Sequence, residues 1–301
     1  MTVACVPWKD PVVLQQVLPA AMEVVYYDGS DLPERLEEIT FFVPPYMGPA
    51  STLEVMASMP ALQVVQALTA GVDNIWPHLP PGVTLCNARG VHDASTAELA
   101  VGLIIASLRH IDDFARAHAT GQWLHGRYQA LADKTVLIVG AGSVGGALAD
   151  RLAPFEVELI KVARTARDGV YGFEQLPALL PDADVVVLLC PLTDQTRGLV
   201  NADFISRMRP GALLVNVSRG PVVVTDDLVD AVQQGSIFAA LDVTDPEPLP
   251  PEHPLWRAPG VLISPHVGGN TSAFLPRAYR LVAEQLARFS QGEPVHHVMS
   301  R

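Results

Sequence analysis

The chain of 301 residues has room for two domains at roughly 150 residues each. Its content of 49% hydrophobic and 17% charged residues supplies two apolar cores and excludes a disordered or fibrous protein. Twenty basic residues against 32 acidic ones leave a net charge of −12, which denies a nucleic-acid backbone the basic surface it needs.

The N-terminal MTVACVPWKDP lacks the charged and apolar regions of a signal peptide. Short β-branched runs over 24–27, 40–43, 64–68 and 83–87 read as strands. The polar, Ala-containing stretches 31–38 and 50–58 read as surface helices, and the alternation predicts parallel βα units. A long helix is expected over 95–118, with Ser95 as N-cap and Glu98 at the capping-box distance. Its most apolar part, between Glu98 and Arg109, has only ten uncharged residues, whereas a membrane span needs about 18. A second alternation starts at Lys134, with strands over 135–139, 157–162, 184–189, 212–217, 237–242 and 261–264 and a helix over 143–152. The final helix, over 272–290, carries apolar residues at Leu281, Val282, Leu286 and Phe289, close to a 3.6 period. The Pro-rich 246–254 reads as a stiff extended loop. Cys5, Cys86 and Cys190 are odd in number, far apart and outside any Cys-x-x-Cys pattern. They are expected as buried thiols of a cytoplasmic protein without a metal site.

The segment TVLIVGAGSVGG, starting at Thr135, places Gly140, Gly142 and Gly145 in Gly-x-Gly-x-x-Gly spacing between a strand and a helix. In that context the first glycine permits a tight turn, the second lets a pyrophosphate approach the backbone, and the third lets helix and strand pack closely. The unpaired N–H groups at the helix start then face the phosphates. An NAD site carries an acidic residue at the end of the next strand to take the ribose 2′-hydroxyl. Here that position is Ala163, followed by Arg164, Thr165 and Arg167. A guanidinium pair suits a 2′-phosphate, so NADP is the expected cofactor.

Ligands of open α/β sheets bind beyond the carboxyl ends of the strands. Arg219 in NVSRG, Asp242 and Glu247 in LDVTDPEPLP, and His266 in ISPHVGG all fall at such ends. Singly, Arg219 reads as an ion-pair residue, Asp242 as a strand cap and Glu247 as a solvated side chain. In this order after a dinucleotide turn they match what reduction of a 2-keto acid requires. Arg219 can grip carboxylate and carbonyl, His266 can supply a proton, and a carboxylate at Glu247 favours the protonated ring. In the first half, Gly71 in ALTAGVDNI lets backbone N–H groups form an anion-receiving turn, or else serves a plain β-to-α turn.

Together these residues resemble the D-isomer-specific 2-hydroxyacid dehydrogenase family. The likeness is carried by TAGVDNI, ASTAELA, VLIVGAGSVGG, LCPLTDQTRGLV, NVSRGPVV, LDVTDPEPLPPEHPLW and SPHVGGNT, and it covers essentially the whole chain. It implies an α/β fold of two flavodoxin- and Rossmann-like domains with parallel sheets and an active site in the cleft between them. Residues 1–94 and 272–301 would form a discontinuous substrate domain, and 95–271 the dinucleotide-binding domain. Arg219, Glu247 and His266 would be the catalytic set, with Asp242 holding the nicotinamide end. Ser143, Val144, Cys190, Pro191, Thr196, Val217, His266 and Gly268 would complete the cofactor site. Ala70, Gly71 and Val72 would bind substrate together with Arg219 and His266. A homodimer paired through the cofactor domain and the long helix is also implied, with no nucleic-acid or membrane partner.

The missing ribose carboxylate departs from the commonest family pattern toward the glyoxylate/hydroxypyruvate reductases. The expected reaction is therefore reduction of a small 2-keto acid with NADPH, NADH being possible. The formate dehydrogenase branch carries Gln where this chain has Glu247, so the intact Glu–His pair argues against it. Two alternatives stay open. One is a dinucleotide-sensing binding protein, like the corepressors that share this fold. The other is phosphite oxidation, which calls for an extra cation; Arg89 is available, whereas PPYM at 44–47 offers none.

Overall fold

Short β-branched and aromatic runs alternate with helices twice along the chain, and each series closes its own parallel sheet. The computed structural model describes residues 2–19 and 22–300. Residues up to His92 and from Ser272 onward form one unit, and Asp93–Thr271 the other.

The first unit contains β1 (Val3–Val6), α1 (Pro11–Val17), β2 (Glu23–Tyr26), β3 (Ile39–Phe42), α2 (Ser51–Glu54), β4 (Val64–Gln66) and β5 (Thr84–Cys86). Its strands lie in the order β2-β1-β3-β4-β5, the flavodoxin-like arrangement. β1 sits inside this sheet and is at most 1% exposed, the burial expected of a parallel strand covered on both faces. Sequence reading passed over it, because a four-residue run ended by Pro7 carries little periodicity. The start of α1 is marked by Asp10, whose carboxylate accepts from Val12 N at 2.8 Å, and by Pro11 at the first helical position. The helix expected over 31–38 is not formed. Arg35, near its middle, takes a left-handed φ of 54°, so only the 3-10 turn Leu36–Glu38 remains.

The second unit begins with α3 (Asp93–Arg109) and α4 (Ile111–Ala119). β6 (Thr135–Val139), α5 (Ser143–Leu152), β7 (Glu158–Ala163), β8 (Tyr171–Gly172), α6 (Leu176–Leu179) and β9 (Val185–Leu188) follow. The unit ends with α7 (Ala202–Arg207), β10 (Leu213–Asn216), α8 (Thr225–Gln233), β11 (Phe238–Leu241) and β12 (Val261–Ile263). The order β12-β11-β10-β9-β6-β7-β8, parallel throughout, is the doubly wound dinucleotide-binding order extended by one strand.

The single helix expected over 95–118 is two helices. His110 adopts a left-handed φ of 53°, and the chain bends there by 68°. Ser95 is not its N-cap, because the helix already starts at Asp93. Ser95 is buried in the first turn and bonds Thr271 Oγ1 at 2.7 Å, while Glu98 reaches Arg151 at 3.3 Å instead of closing a capping box. Among the described residues no single helix is long and apolar enough to cross a membrane.

The chain returns to the first unit in α9 (Phe274–Ser290). Gln285, fully buried, donates to Gln66 Oε1 at 2.6 Å and to His296 O at 2.8 Å. Met299 N then donates to Leu85 O beside β5 at 2.8 Å. The three cysteines are buried thiols.

Candidate active site

The turn after β6 shows why glycine recurs there. Gly140 has φ +115°, and a Cβ on it would lie 2.5 Å from Cys190 N at the end of β9. A Cβ on Gly145 would run into Gly140 O, so the third glycine lets α5 pack on its own turn. At Gly142 a Cβ meets no atom within 4 Å, leaving space beside the backbone. No side chain caps α5, and its first internal bond runs from Gly146 N to Gly142 O at 2.9 Å. The N–H groups of Ser143, Val144 and Gly145 are thus left for an anion, and the turn fits a dinucleotide pyrophosphate. The Ser143 hydroxyl is drawn to the Asp93 carboxylate, so Ser143 serves an anion through its backbone.

Arg164, Thr165 and Arg167 follow β7 on an exposed hairpin. Arg167 folds back over the glycine turn, its Nη2 donating to Ala141 O at 2.5 Å. On the next loop Cys190 is buried and Pro191 exposed. The Thr196 hydroxyl donates to Pro191 O at 2.6 Å and accepts from Thr193 N at 2.8 Å, bracing that loop. Val217 and Arg219 follow β10, with Val217 buried and Arg219 half-buried.

Asp242, 3% exposed at the end of β11, is a scaffold for the histidine loop. Its Oδ1 accepts from Ser264 Oγ at 2.6 Å and Val267 N at 2.9 Å, and its Oδ2 accepts from Gly268 N at 2.9 Å. Its carbonyl accepts from His266 N at 2.8 Å. This frame holds His266 at a left-handed φ of 52°, uncommon for a residue with a side chain. His266 Nδ1 meets Glu247 Oε1 at 2.6 Å. An ionised carboxylate only accepts, so Nδ1 carries the proton of that bond and Nε2 is left for chemistry.

In the first unit the loop 68–72 has its carbonyls tied off by side chains. His92 Nε2 donates to Leu68 O at 2.7 Å, Asn87 Nδ2 to Ala70 O at 2.8 Å, and Thr69 Oγ1 to Gly71 O at 2.7 Å. The N–H groups of Ala70, Gly71 and Val72 have no acceptor among the described residues. They are left for an anion, although Gly71 is not left-handed. His92 stacks on Tyr46 and Phe274 at centroid distances of 5.7 and 5.2 Å. Thr69 and His92 escaped sequence reading because their partners are backbone carbonyls, which no motif displays.

A doubly wound sheet with an uncapped glycine turn defines a dinucleotide-binding fold, and a His–Glu pair stands at its carboxyl edge. The chain belongs to the D-isomer-specific 2-hydroxyacid dehydrogenases, whose NAD-binding domain matches residues 101–268. Glyoxylate reductase from Thermofilum pendens is 33% identical, covering 92% of this chain and 88% of its own. A D-isomer-specific 2-hydroxyacid dehydrogenase from Xanthobacter autotrophicus, solved in complex with NADPH and MES, superposes with a TM-score of 0.85 at 30% identity, covering 99% of this chain and 98% of its own. The NADPH-dependent glyoxylate/hydroxypyruvate reductase of Sinorhizobium meliloti, solved with NADP and sulfate, gives a TM-score of 0.84 at 28% identity over the same shares.

Proposed function

We propose that this protein reduces a small 2-keto acid of the glyoxylate or hydroxypyruvate type to its D-2-hydroxy acid, with NADPH preferred over NADH. The His266–Glu247 pair, held on the frame of Asp242, carries the reading. When bound, the reduced nicotinamide supplies a hydride to the carbonyl carbon. Gly140, Gly142 and Gly145, with the N–H groups that open α5, hold the cofactor's pyrophosphate, and Arg164 and Arg167 its 2′-phosphate. Arg219 grips the substrate carboxylate and carbonyl, and within the first unit the Ala70–Val72 turn is the proposed substrate-binding segment. As the carbonyl carbon becomes tetrahedral, the proton on His266 Nε2 passes to the carbonyl oxygen, leaving the ring neutral with Nδ1–H still donated to Glu247. Glu247 orients the ring and balances its charge while it is protonated.

The unit formed by residues 1–92 and 272–301 is the proposed substrate domain. The protein is further proposed to act in the cytoplasm as a homodimer, joined through α3 and the exposed stretch after α4, where Trp123 is 91% exposed. A panel of glyoxylate, hydroxypyruvate, pyruvate, phenylpyruvate, branched 2-keto acids and phosphite tests the activity, each acid with NADPH and NADH and phosphite with NADP and NAD. Oxidation of NADPH by glyoxylate or hydroxypyruvate is expected. Tight NADPH binding with no turnover of any acid would identify a dinucleotide sensor instead.

A further inference from the structure

We infer that Asn216 is a positioning residue for Arg219, setting the main chain on which the guanidinium stands. Asn216 ends β10 and is 1% exposed. Its carboxamide makes three bonds within the next three residues. Nδ2 donates to Arg219 O at 2.9 Å, and Oδ1 accepts from Ser218 N at 3.0 Å and Ser218 Oγ at 2.7 Å. The orientation of the amide is determined by these partners, since only nitrogen can meet a carbonyl and only oxygen an N–H.

The rest of the turn leaves little freedom. Asn216 O accepts from Asp242 N at 2.9 Å, joining the turn to the residue that frames His266. A Cβ on Gly220 would run into Thr244 O, so the chain passes Arg219 pressed against the loop after β11. Arg219 Nη1 donates to Ser218 O at 2.8 Å, so a carbonyl of the same turn also orients the side chain. Asn216 therefore ties down the peptide group that follows Arg219 and the one between Val217 and Ser218. Asp has the same shape but no donor for Arg219 O, and Ser is too short to reach both partners. A misplacement of about 1 Å in a positioning group can cost roughly a hundredfold in rate.

The inference rests on Arg219 as the substrate anchor, and a double-mutant cycle separates the two claims. Asn216→Asp, Arg219→Ala and the double variant are assayed for keto-acid kcat and KM, with the Kd for NADPH measured on each protein. Asn216→Asp is expected to lower kcat/KM roughly 30- to 100-fold, with NADPH affinity within about threefold of the parent. In the Arg219→Ala background the same change should cost less than about threefold, because the group it positions is gone. Losses that multiply in the double variant, or NADPH affinity falling in step with kcat/KM, would overturn the positioning role alone. An Arg219→Ala protein with normal kcat/KM would overturn the anchor, and this inference with it. Should Asn216→Asp fail to fold, Asn216→Ser enters the same cycle with the same expectations.

Discussion

His266 and Glu247 stand on loops that follow different strands, β12 and β11, yet their Nδ1 and Oε1 atoms are 2.6 Å apart. Both side chains are partly open to solvent, at 30% and 39% exposure, and the proposed proton transfer is tested at each. Replacing His266 with Ala should lower keto-acid turnover about 10²- to 10⁴-fold, the usual contribution of a general acid. The Kd for NADPH should stay within a few-fold, because the glycine turn lies on another loop. Glu247→Gln keeps an acceptor for Nδ1–H but removes the charge, so its loss should be the smaller. A His266→Ala protein turning over at the parent rate would remove the histidine from the chemistry.

Arg219→Lys tests geometry apart from charge. The ammonium keeps the positive charge but not the planar fork that meets carboxylate and carbonyl together. Both kcat and apparent affinity for the keto acid should fall, by about tenfold or more in kcat/KM, since orientation of the carbonyl suffers along with binding. Near-parent kinetics would leave Arg219 with a structural role only.

The proposed preference for NADPH is assigned to the hairpin after β7, where Arg167 bends over Ala141 of the glycine turn. A charge-assisted bond to a 2′-phosphate corresponds to roughly tenfold to hundredfold preference for NADPH. Removing Arg164 and Arg167 together should cost NADPH far more than NADH, and added salt should narrow the parent preference. Ala163→Asp should invert it by repelling the phosphate and offering the 2′-hydroxyl an acceptor. Equal kcat/KM with both cofactors in the unmodified protein would show that the arginines do not read the phosphate.

Burial pushes all three thiols up, Cys5 to about 12 and Cys86 and Cys190 to about 11. The thiolate is the reactive form, so a thiol reagent at pH 8 should label none of them in the folded protein and all three after denaturation. The unfolded chain loses its thiol protons near pH 9, whereas the folded chain keeps them. The stability these groups contribute is therefore complete below pH 9 and is lost as pH rises toward 11. Denaturant midpoints compared at pH 7.5 and about pH 10.5 check that sign. Rapid native labelling at pH 8 would contradict the burial.

Features whose cause lies within a few neighbouring residues were readable from the chain alone. The glycine spacing after β6 is one, because tight turn, open backbone and close helix packing are all demanded within six positions. Most strands were readable as β-branched runs and α9 through its 3.6 period, and the order Arg219, Glu247, His266 through its place at strand ends. Only the tertiary structure decided what depends on partners far away in sequence. β1 becomes an inner strand because β2 and β3 flank it, which four residues cannot announce. Ser95 falls inside the first turn of α3, which starts at Asp93, and its hydroxyl instead meets Thr271, 176 positions later. The bend at His110 uses a left-handed residue that is not glycine, so composition gives no warning. Asp242 bonds the His266 loop, 25 and 26 positions further on, through hydrogen bonds whose partners meet only once β11 and β12 lie side by side. Sequence specifies which groups are available. The pairing of buried donors with acceptors, each costly to leave unsatisfied, settles which of them meet.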